Sequence, residues 1–456
     1  MEKRIVIVGG GPGGYVAAIK AAQAGARVTL AEHGELGGTC LNVGCIPTKA
    51  LLHIGEFYHR IKTGAVAGIK AEAAIDWPEA QRNKEKIVGT LKGGVNALLR
   101  HNDVRVIREK AFPISNRKVK IGAEEVEADA VILATGSVVT KLNFPGAELP
   151  EVIDSDAALS LKKIPKSIII IGGGVIGVEF ATLFNFLGAQ VTILEMLPDI
   201  LPMYDAEISA YLREKLSADG VRIHAGAKLT GALKEPAGLT ACFDQGGAPR
   251  RATADYVLVA VGRSPNTAGL GLEELGVKLI NGAVNTDEYF QTNLPGIYAI
   301  GDCNGINMLA HAAMAQGIAA VEHIMGAAAH YNPKVVPACV YSSPEIASVG
   351  MTEKQAADAG MDYSVGLFSL GNNGKSLIDD TGGGFVKIIA DKRLGEILGV
   401  HIIGSKATEM IGEAALCMSM EGTVEDIANT IHAHPTVSEA IGEAAMSVFG
   451  KPLHGV

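Results

Sequence analysis

Two stretches of this chain are written to the same plan. Residues 4–8 (RIVIV) form a short apolar run, followed by GGGPGG and an alanine-rich stretch, YVAAIKAAQAG, that ends at Gly25. That order predicts a strand, a tight glycine turn and a helix. A second apolar run, RVTLAE (27–32), completes a βαβ unit with an acid at the end of its second strand. The order recurs at 168–171 (IIII), then GGGVIG, a predicted helix EFATLFNFLGA, and QVTILE, which ends at Glu195. The copies lie 163 residues apart, Gly9 to Gly172. The chain therefore carries two units of the kind that binds a dinucleotide, and its fold class is α/β.

In Gly9-x-Gly11-x-x-Gly14 the glycines allow a tight turn, close approach of a pyrophosphate to the backbone and tight helix packing, while the helix N-terminus supplies a positive field. One such string is weak evidence, because ligand-free glycine turns also read this way. Context strengthens it: the string joins a strand to a helix, and Glu32 follows Gly14 by 18 residues, where a carboxylate accepts from ribose hydroxyls. Gly172-x-Gly174-x-x-Gly177 with Glu195 repeats the context. A carboxylate there would repel a 2′-phosphate, and no arginine follows in EMLPDILPMYD, which favours NAD(H) over NADP(H).

VEADAVILATGS (126–137) reads as one strand returning to the first sheet, and RATADYVLVAVGRSPN (251–266) has the same shape in the second. After GIYAIGDC (296–303) extended segments and alanine- and methionine-rich helices predict a separate α+β domain from about 336 to the end. A length of 456 residues accommodates this organisation. The formal net charge of −9, with no run of lysine or arginine, excludes a basic footprint for nucleic acid or an anionic membrane. MEKRIVIVGGG lacks the apolar core of a signal peptide, and no stretch of about 18 apolar residues occurs, so the expected location is cytoplasmic.

Six cysteines are too sparse for a disulfide scaffold. Two of them, Cys40 and Cys45, stand five apart in GGTCLNVGCIPTK. Four intervening residues at a helix N-terminus can bring two sulfurs to bonding distance, and such a terminus lowers a thiol pKa. Zinc is a poor reading, since two cysteines are half a tetrahedral site and His33 and His53 flank them without ligand spacing. No metal site is expected. Two inert cysteines in a core helix remain the plainer alternative to a redox pair.

GGTCLNVGCIPTKALLH closely resembles the active-site segment of the flavin disulfide reductases. The resemblance covers essentially the whole chain, through GGGPGG at 9, ATGS at 134, the second glycine turn at 172, AVGRSPN at 260, YAIGDC at 298, MLAHAA at 308 and HAHPTVSEA at 432. It implies two Rossmann-like dinucleotide-binding domains and a C-terminal interface (dimerisation) domain. The implied bounds are 1–143 for FAD, 144–268 for NAD, 269–335 returning to the FAD-binding domain, and 336–456 for the interface.

By resemblance, the first unit holds FAD, with Glu32 on the adenosine ribose, Thr39 near the pyrophosphate, Gly136 nearby, and Ala111 as a further contact. Asp302 would bind the ribityl-pyrophosphate portion, and the backbone at Ala310 would lie near the flavin. Lys49, one helical turn after Cys45, would sit beside the flavin N5 and pair with Glu179. The second unit would hold NAD, with Val175 where some relatives carry a gating tyrosine, and with Glu195, Leu229 and Gly262 as further contacts. His434 and Glu439 read from the residues as an imidazole oriented by a carboxylate, a pair that in isolation is more often structural than catalytic. The resemblance makes it the proton-transfer pair for the thiols of the other subunit, in a homodimer whose monomer would be inactive. His311 and His432 are read as structural.

Within the family the resemblance runs most closely to members that oxidise dihydrolipoamide with NAD⁺. It implies lipoyl groups carried on an acyltransferase (E2) or an H-protein as substrate, deprotonation by His434, thiolate attack at Cys40, exchange through a mixed disulfide, and passage of electrons from Cys45 through FAD to NAD⁺. The alternative is an NAD(P)H-dependent flavin reductase of another disulfide. Glutathione-type members favour NADPH, against which Glu195 speaks, and a mercury-reducing member would carry a terminal cysteine pair where this chain reads KPLHGV. One departure stands out: FSLGNNGKSLIDD (368–380), expected at the surface of the interface domain, lacks the Asn-x-Arg-Ala string common among relatives.

Overall fold

Strand Arg4–Val8 is buried along nearly its whole length, as a β-branched run becomes when both faces of a parallel sheet are covered. It is the middle of a five-stranded parallel sheet in the order Ile297–Ala299, Ala130–Leu133, Arg4–Val8, Arg27–Ala31, Arg105–Ile107. The second sheet has the same core in the order Arg222–Ala225, Gln190–Glu195, Ser167–Ile171, Tyr256–Val259, Val152–Ile153, again all parallel. The computed structural model describes residues 2–64, 68–379, 381 and 383–455.

The glycine turns lead into helices Pro12–Gln23 and Val175–Phe186. The second helix therefore starts at Val175, four residues before the stretch expected to be helical, because the turn's last glycine is already inside it. The two returning segments also differ from expectation, since neither is one strand: 126–137 spans the end of Glu124–Glu127, Ala130–Leu133 and the start of Ser137–Val139, and 251–266 spans the end of Ala248–Ala254, Tyr256–Val259 and Arg263–Pro265. Glu124–Glu127 closes an antiparallel meander with Ala111–Ser115 and Lys118–Ile121, and Ala248–Ala254 closes one with Ala227–Glu235 and Gly238–Gln245. Only the middle of each segment, Ala130–Leu133 or Tyr256–Val259, joins the parallel sheet. The break has the same cause twice: an aspartate leaves the strand and accepts from a backbone N–H at or just before the first residue of the sheet's central strand. Asp129 accepts from Arg4 N at 2.9 Å, and Asp255 accepts from Lys166 N at 2.7 Å.

Helix Ala310–Met325 lies against Pro12–Gln23 so closely that a Cβ on Gly317 would stand 2.9 Å from the carbonyl oxygen of Gly13. Ile297–Ala299 and this helix thus return the chain to the first unit. The C-terminal domain is a five-stranded antiparallel sheet, ordered Ala338–Val340, Ile346–Gly350, Ile397–Ile403, Phe385–Asp391, Tyr363–Ser369, with helices Ala407–Ser419 and Glu439–Val448 packed on it. Lys387 from this sheet reaches Asp205 of the second unit at 3.0 Å, both buried. Among the described residues no helix is long and apolar enough to cross a membrane.

Candidate active site

The two glycine turns have the same geometry. A Cβ on Gly14 would stand 1.9 Å from the carbonyl oxygen of Gly9, and one on Gly177 2.0 Å from that of Gly172, so these positions hold helix to strand and admit no side chain. The middle glycines differ. A Cβ on Gly174 would meet nothing within 4 Å, and one on Gly11 only Gly38 at 3.9 Å. Both are extended N-caps with no side-chain cap, so the first helical N–H groups face open space. The carboxylates match as well. Glu32 accepts from Gly10 N at 2.7 Å and Gly34 N at 2.6 Å; Glu195 accepts from Gly173 N at 2.6 Å and Leu197 N at 2.7 Å. Each oxygen keeps a lone pair for a ribose hydroxyl. Both units thus fit a dinucleotide, with room for pyrophosphate at the middle glycine.

The thiols lie just beyond the first unit. Cys40 is in the short helix Gly38–Asn42, and Cys45 opens helix Cys45–Lys62. The chain doubles back between them, so the unbridged thiols are hydrogen-bonded to one another. That bond raises Cys40 well above the ordinary thiol range, and burial adds to the rise. The same bond, with the charge of Lys49, brings Cys45 down to about 7 against the effects of burial and Glu179. Cys40 therefore keeps the proton while Cys45 carries the thiolate.

Lys49 is on the Cys45 helix, and its Nζ donates to both oxygens of Glu179 at 2.8 and 2.6 Å, with Glu179 buried on the helix of the second glycine turn. The ion pair thus ties the thiol helix to the second unit. Asp302 lies in a short 3₁₀ turn after Ile297–Ala299 and accepts from Ser137 Oγ at 2.5 Å. Arg263 donates to Ser137 Oγ at 2.8 Å, to the Ser137 carbonyl at 2.9 Å and to Thr39 Oγ1 at 3.2 Å. Gly136 and Gly262 stand at the ends of the paired crossing strands Ser137–Val139 and Arg263–Pro265, and a Cβ on either would meet nothing within 4 Å.

Ala310 opens its helix with no side-chain cap, leaving its first N–H groups free. Ala111 packs with Val8 and Ala31 of the first unit, Leu229 against Ile171 and Leu194 of the second, and Val175 begins the second nucleotide helix. Ser137, Arg263 and Tyr341 escaped the sequence reading. The first two stand inside the ATGS and AVGRSPN strings, but their partners are 126 or more residues away. Tyr341 had no signal at all.

His434 and Glu439 are brought together, Nδ1 to Oε1 at 2.9 Å, and Glu439 also accepts from Thr436 N at 2.8 Å. Burial works against the Glu439 carboxylate, but these two donors outweigh it and hold the group below its usual range. The imidazole is 79 % exposed, its Nε2 has no hydrogen bond among the described residues, and it is not among the groups acting on either thiol of its own chain. His432 is paired with Glu413 at 2.8 Å, and His311 with the Pro337 carbonyl at 2.7 Å. The segment at 368–380 lies at the surface only in part, with Leu377 and Ile378 59 % and 70 % exposed. Phe368, Leu370, Asn373 and Ser376 are buried, the first two in the core of the C-terminal domain, and Asn373 Nδ2 donates to the Thr436 carbonyl at 3.0 Å, next to His434. Asp380 lies outside the described residues. Among the described residues no group of three or more His, Cys, Asp or Glu is arranged to hold a metal.

Residues 3–317 match the family described as pyridine nucleotide-disulphide oxidoreductase, and 336–445 match that family's dimerisation domain. The chain belongs to the pyridine nucleotide-disulphide oxidoreductases. Its C-terminal domain is accordingly a dimerisation domain, which supports pairing of two copies of the chain. A dihydrolipoyl dehydrogenase of Bacillus subtilis is 44 % identical over 99 % of both chains, and a mitochondrial dihydrolipoyl dehydrogenase of Pisum sativum is 42 % identical over 99 % of this chain and 93 % of the relative. A crystal structure of LpdA from Mycobacterium tuberculosis superimposes with a TM-score of 0.90 at 28 % identity, covering 97 % of this chain and 99 % of that one.

Proposed function

We propose that the chain is a dihydrolipoyl dehydrogenase, a flavoprotein oxidoreductase that oxidises dihydrolipoamide and reduces NAD⁺. The observation that carries this reading is the thiol pair itself, Cys40 and Cys45 just beyond the first dinucleotide unit, with Lys49 of the Cys45 helix paired to Glu179 of the second. Likeness to dihydrolipoyl dehydrogenases along the full chain supports the choice of substrate.

In the oxidised enzyme Cys40 and Cys45 form a disulfide. His434 Nε2 accepts a proton from one substrate thiol, with Glu439 holding Nδ1. The substrate thiolate attacks Cys40, the Cys40–Cys45 bond breaks, and Cys45 leaves as a thiolate beside Lys49. The second substrate thiol then passes its proton to Cys40 as its sulfur attacks the substrate sulfur of the mixed disulfide, while the first proton stays on His434. Lipoamide departs as a cyclic disulfide and Cys40 leaves as a thiol, so two electrons pass from substrate to the cysteine pair. When bound, FAD supplies the two-electron relay from this dithiol to NAD⁺.

Gly9, Gly11, Gly14, Glu32, Thr39, Ala111, Gly136, Asp302 and Ala310 would hold FAD, with Lys49 and Glu179 at its reacting end. Gly172, Gly174, Val175, Gly177, Glu195, Leu229 and Gly262 would hold NAD. His434 serves the thiols of the partner copy, which accounts for an outward imidazole with no thiol of its own chain beside it. The lipoyl substrate would arrive on an E2 acyltransferase or an H-protein, in the cytoplasm.

Subunit mixing tests this arrangement. Cys45→Ser and His434→Gln homodimers should each lose dihydrolipoamide turnover, Cys45→Ser by more than about a thousandfold. Cys45→Ser should still be yellow and reduced by NADH. Mixed dimers of the two variants should regain turnover, because one of their two sites has both an intact thiol pair and an intact imidazole. Inactive mixed dimers would place the His434 site within one chain, and an active Cys45→Ser homodimer would end the thiol scheme.

A further inference from the structure

Tyr341 follows the edge strand Ala338–Val340 of the C-terminal sheet, yet it touches both members of the ion pair beside the thiols. Its backbone N–H donates to Glu179 Oε1 at 3.0 Å. Its ring stands over the ammonium, with Lys49 Nζ 4.8 Å from the centroid. A cation that close to an aromatic face is held by the ring's quadrupole. Lys49 is thus restrained from two directions, by a carboxylate that accepts twice and by a ring that keeps the ammonium from swinging into solvent.

The position of that ammonium matters because the two members of the pair act oppositely on Cys45. Lys49 favours the thiolate and Glu179 disfavours it. Their net effect therefore depends on where Nζ stands and on how much of the carboxylate's charge is taken up by other donors. We propose that Tyr341 is a positioning residue that keeps the Lys49 ammonium in place for Cys45 and draws off part of the Glu179 charge. A residue of the dimerisation domain thereby sets how readily the thiol helix holds a thiolate. This rests on the reading of Cys45 as the ionising thiol.

The other charged and titratable neighbours are identifiable. Cys45 also faces Cys40, which in turn feels Lys49 and Asp302 and lies near Tyr15. Tyr341 faces Cys339, Glu345 and Glu409 besides Glu179, and burial, with these neighbours, pushes its phenol up to about 12. The phenol stays neutral over the working range, so it acts through its ring and backbone and not by titrating.

The test uses the FAD-loaded protein carrying Cys40→Ser, whose hydroxyl keeps a donor to Cys45. The rate of Cys45 alkylation by iodoacetamide is followed against pH, with the modified peptide quantified by mass spectrometry. Tyr341→Phe retains a ring and should leave the midpoint in place. Tyr341→Leu should raise it by about half a pH unit, slowing alkylation at pH 7 about twofold. A Leu curve that overlays the parent overturns the role of Tyr341, whereas a parent curve with no midpoint below the ordinary thiol range overturns the reading of Cys45 itself. Should the Leu protein not fold, Tyr341→Trp decides: the stronger ring must lower the midpoint, and an unmoved or higher one overturns the inference.

Discussion

In the first unit Gly14 packs on Gly9 and Glu32 ties down Gly10; in the second Gly177 packs on Gly172 and Glu195 ties down Gly173. Beyond these floors the two diverge. The first is roofed by distant parts of the chain: the Asp302 turn, the Ala310 helix and the Arg263 guanidinium, which joins Thr39 to Ser137. The second is followed by an open stretch in which Met196, Leu197 and Met203 are exposed. A closed site suits a nucleotide that stays and an open one suits a nucleotide that exchanges at every turnover. The repeated unit supplies recognition, and residues outside the repeat decide residence and chemistry.

The sharpest way to break this comparison is to damage the two floors separately. Gly14→Val should give a colourless protein without FAD, since the side chain cannot enter the space beside Gly9. Gly177→Val should keep FAD, seen in the visible spectrum, and lose NADH binding in titrations. If Gly177→Val removed the flavin instead, the assignment of the two units would be reversed.

A smaller effect is expected at the carboxylates. Glu195→Ala removes two backbone contacts and the ribose acceptor, and NADH affinity should fall by about ten- to a hundredfold, the scale of one or two charge-assisted hydrogen bonds. Glu32→Ala should leave NADH affinity unchanged and lower the temperature at which FAD is released. The mildest test needs no mutation. Cys45 titrates at about 7 in the reduced protein, so the thiolate should be about a tenth formed at pH 6 and about nine tenths at pH 8, read as a long-wavelength absorbance band. Its folded value lies below the ordinary thiol value of 9.0, so the stability it gives the reduced protein is full above that value and lost as pH falls through about 7. A band that weakened as pH rose would contradict this assignment.

What was legible in the sequence was whatever is encoded over short spans. The glycine spacings, Glu32 and Glu195 at their strand ends, and Cys45 with Lys49 one turn later each lie within a single unit, and helical or strand periodicity places them. The aspartate breaks at Asp129 and Asp255 were missed because an apolar run does not reveal where a strand changes partners; that is decided by the distant N–H groups of Arg4 and Lys166. Arg263 and Tyr341 were missed for a related reason. Each acts on residues more than 150 positions away in sequence, Thr39 and Glu179. Asn373 shows the converse, a residue in a string that is exposed at Leu377 and Ile378 but is itself buried and donates to the Thr436 carbonyl beside His434, a contact 63 residues away that no local pattern encodes.

The return of Ile297–Ala299 to the first sheet also sets an order of assembly during synthesis. The second sheet is complete once Tyr256–Val259 has emerged, whereas the first has four strands in hand by Leu133 and waits for its fifth. At about 5–20 residues per second that wait lasts on the order of ten seconds. For that interval the edge of Ala130–Leu133 stands unpaired on the nascent chain, a run of four apolar residues open to any passing strand. The later-numbered nucleotide unit is thus the one able to fold first, and the flavin unit, though it begins the chain, is finished around it.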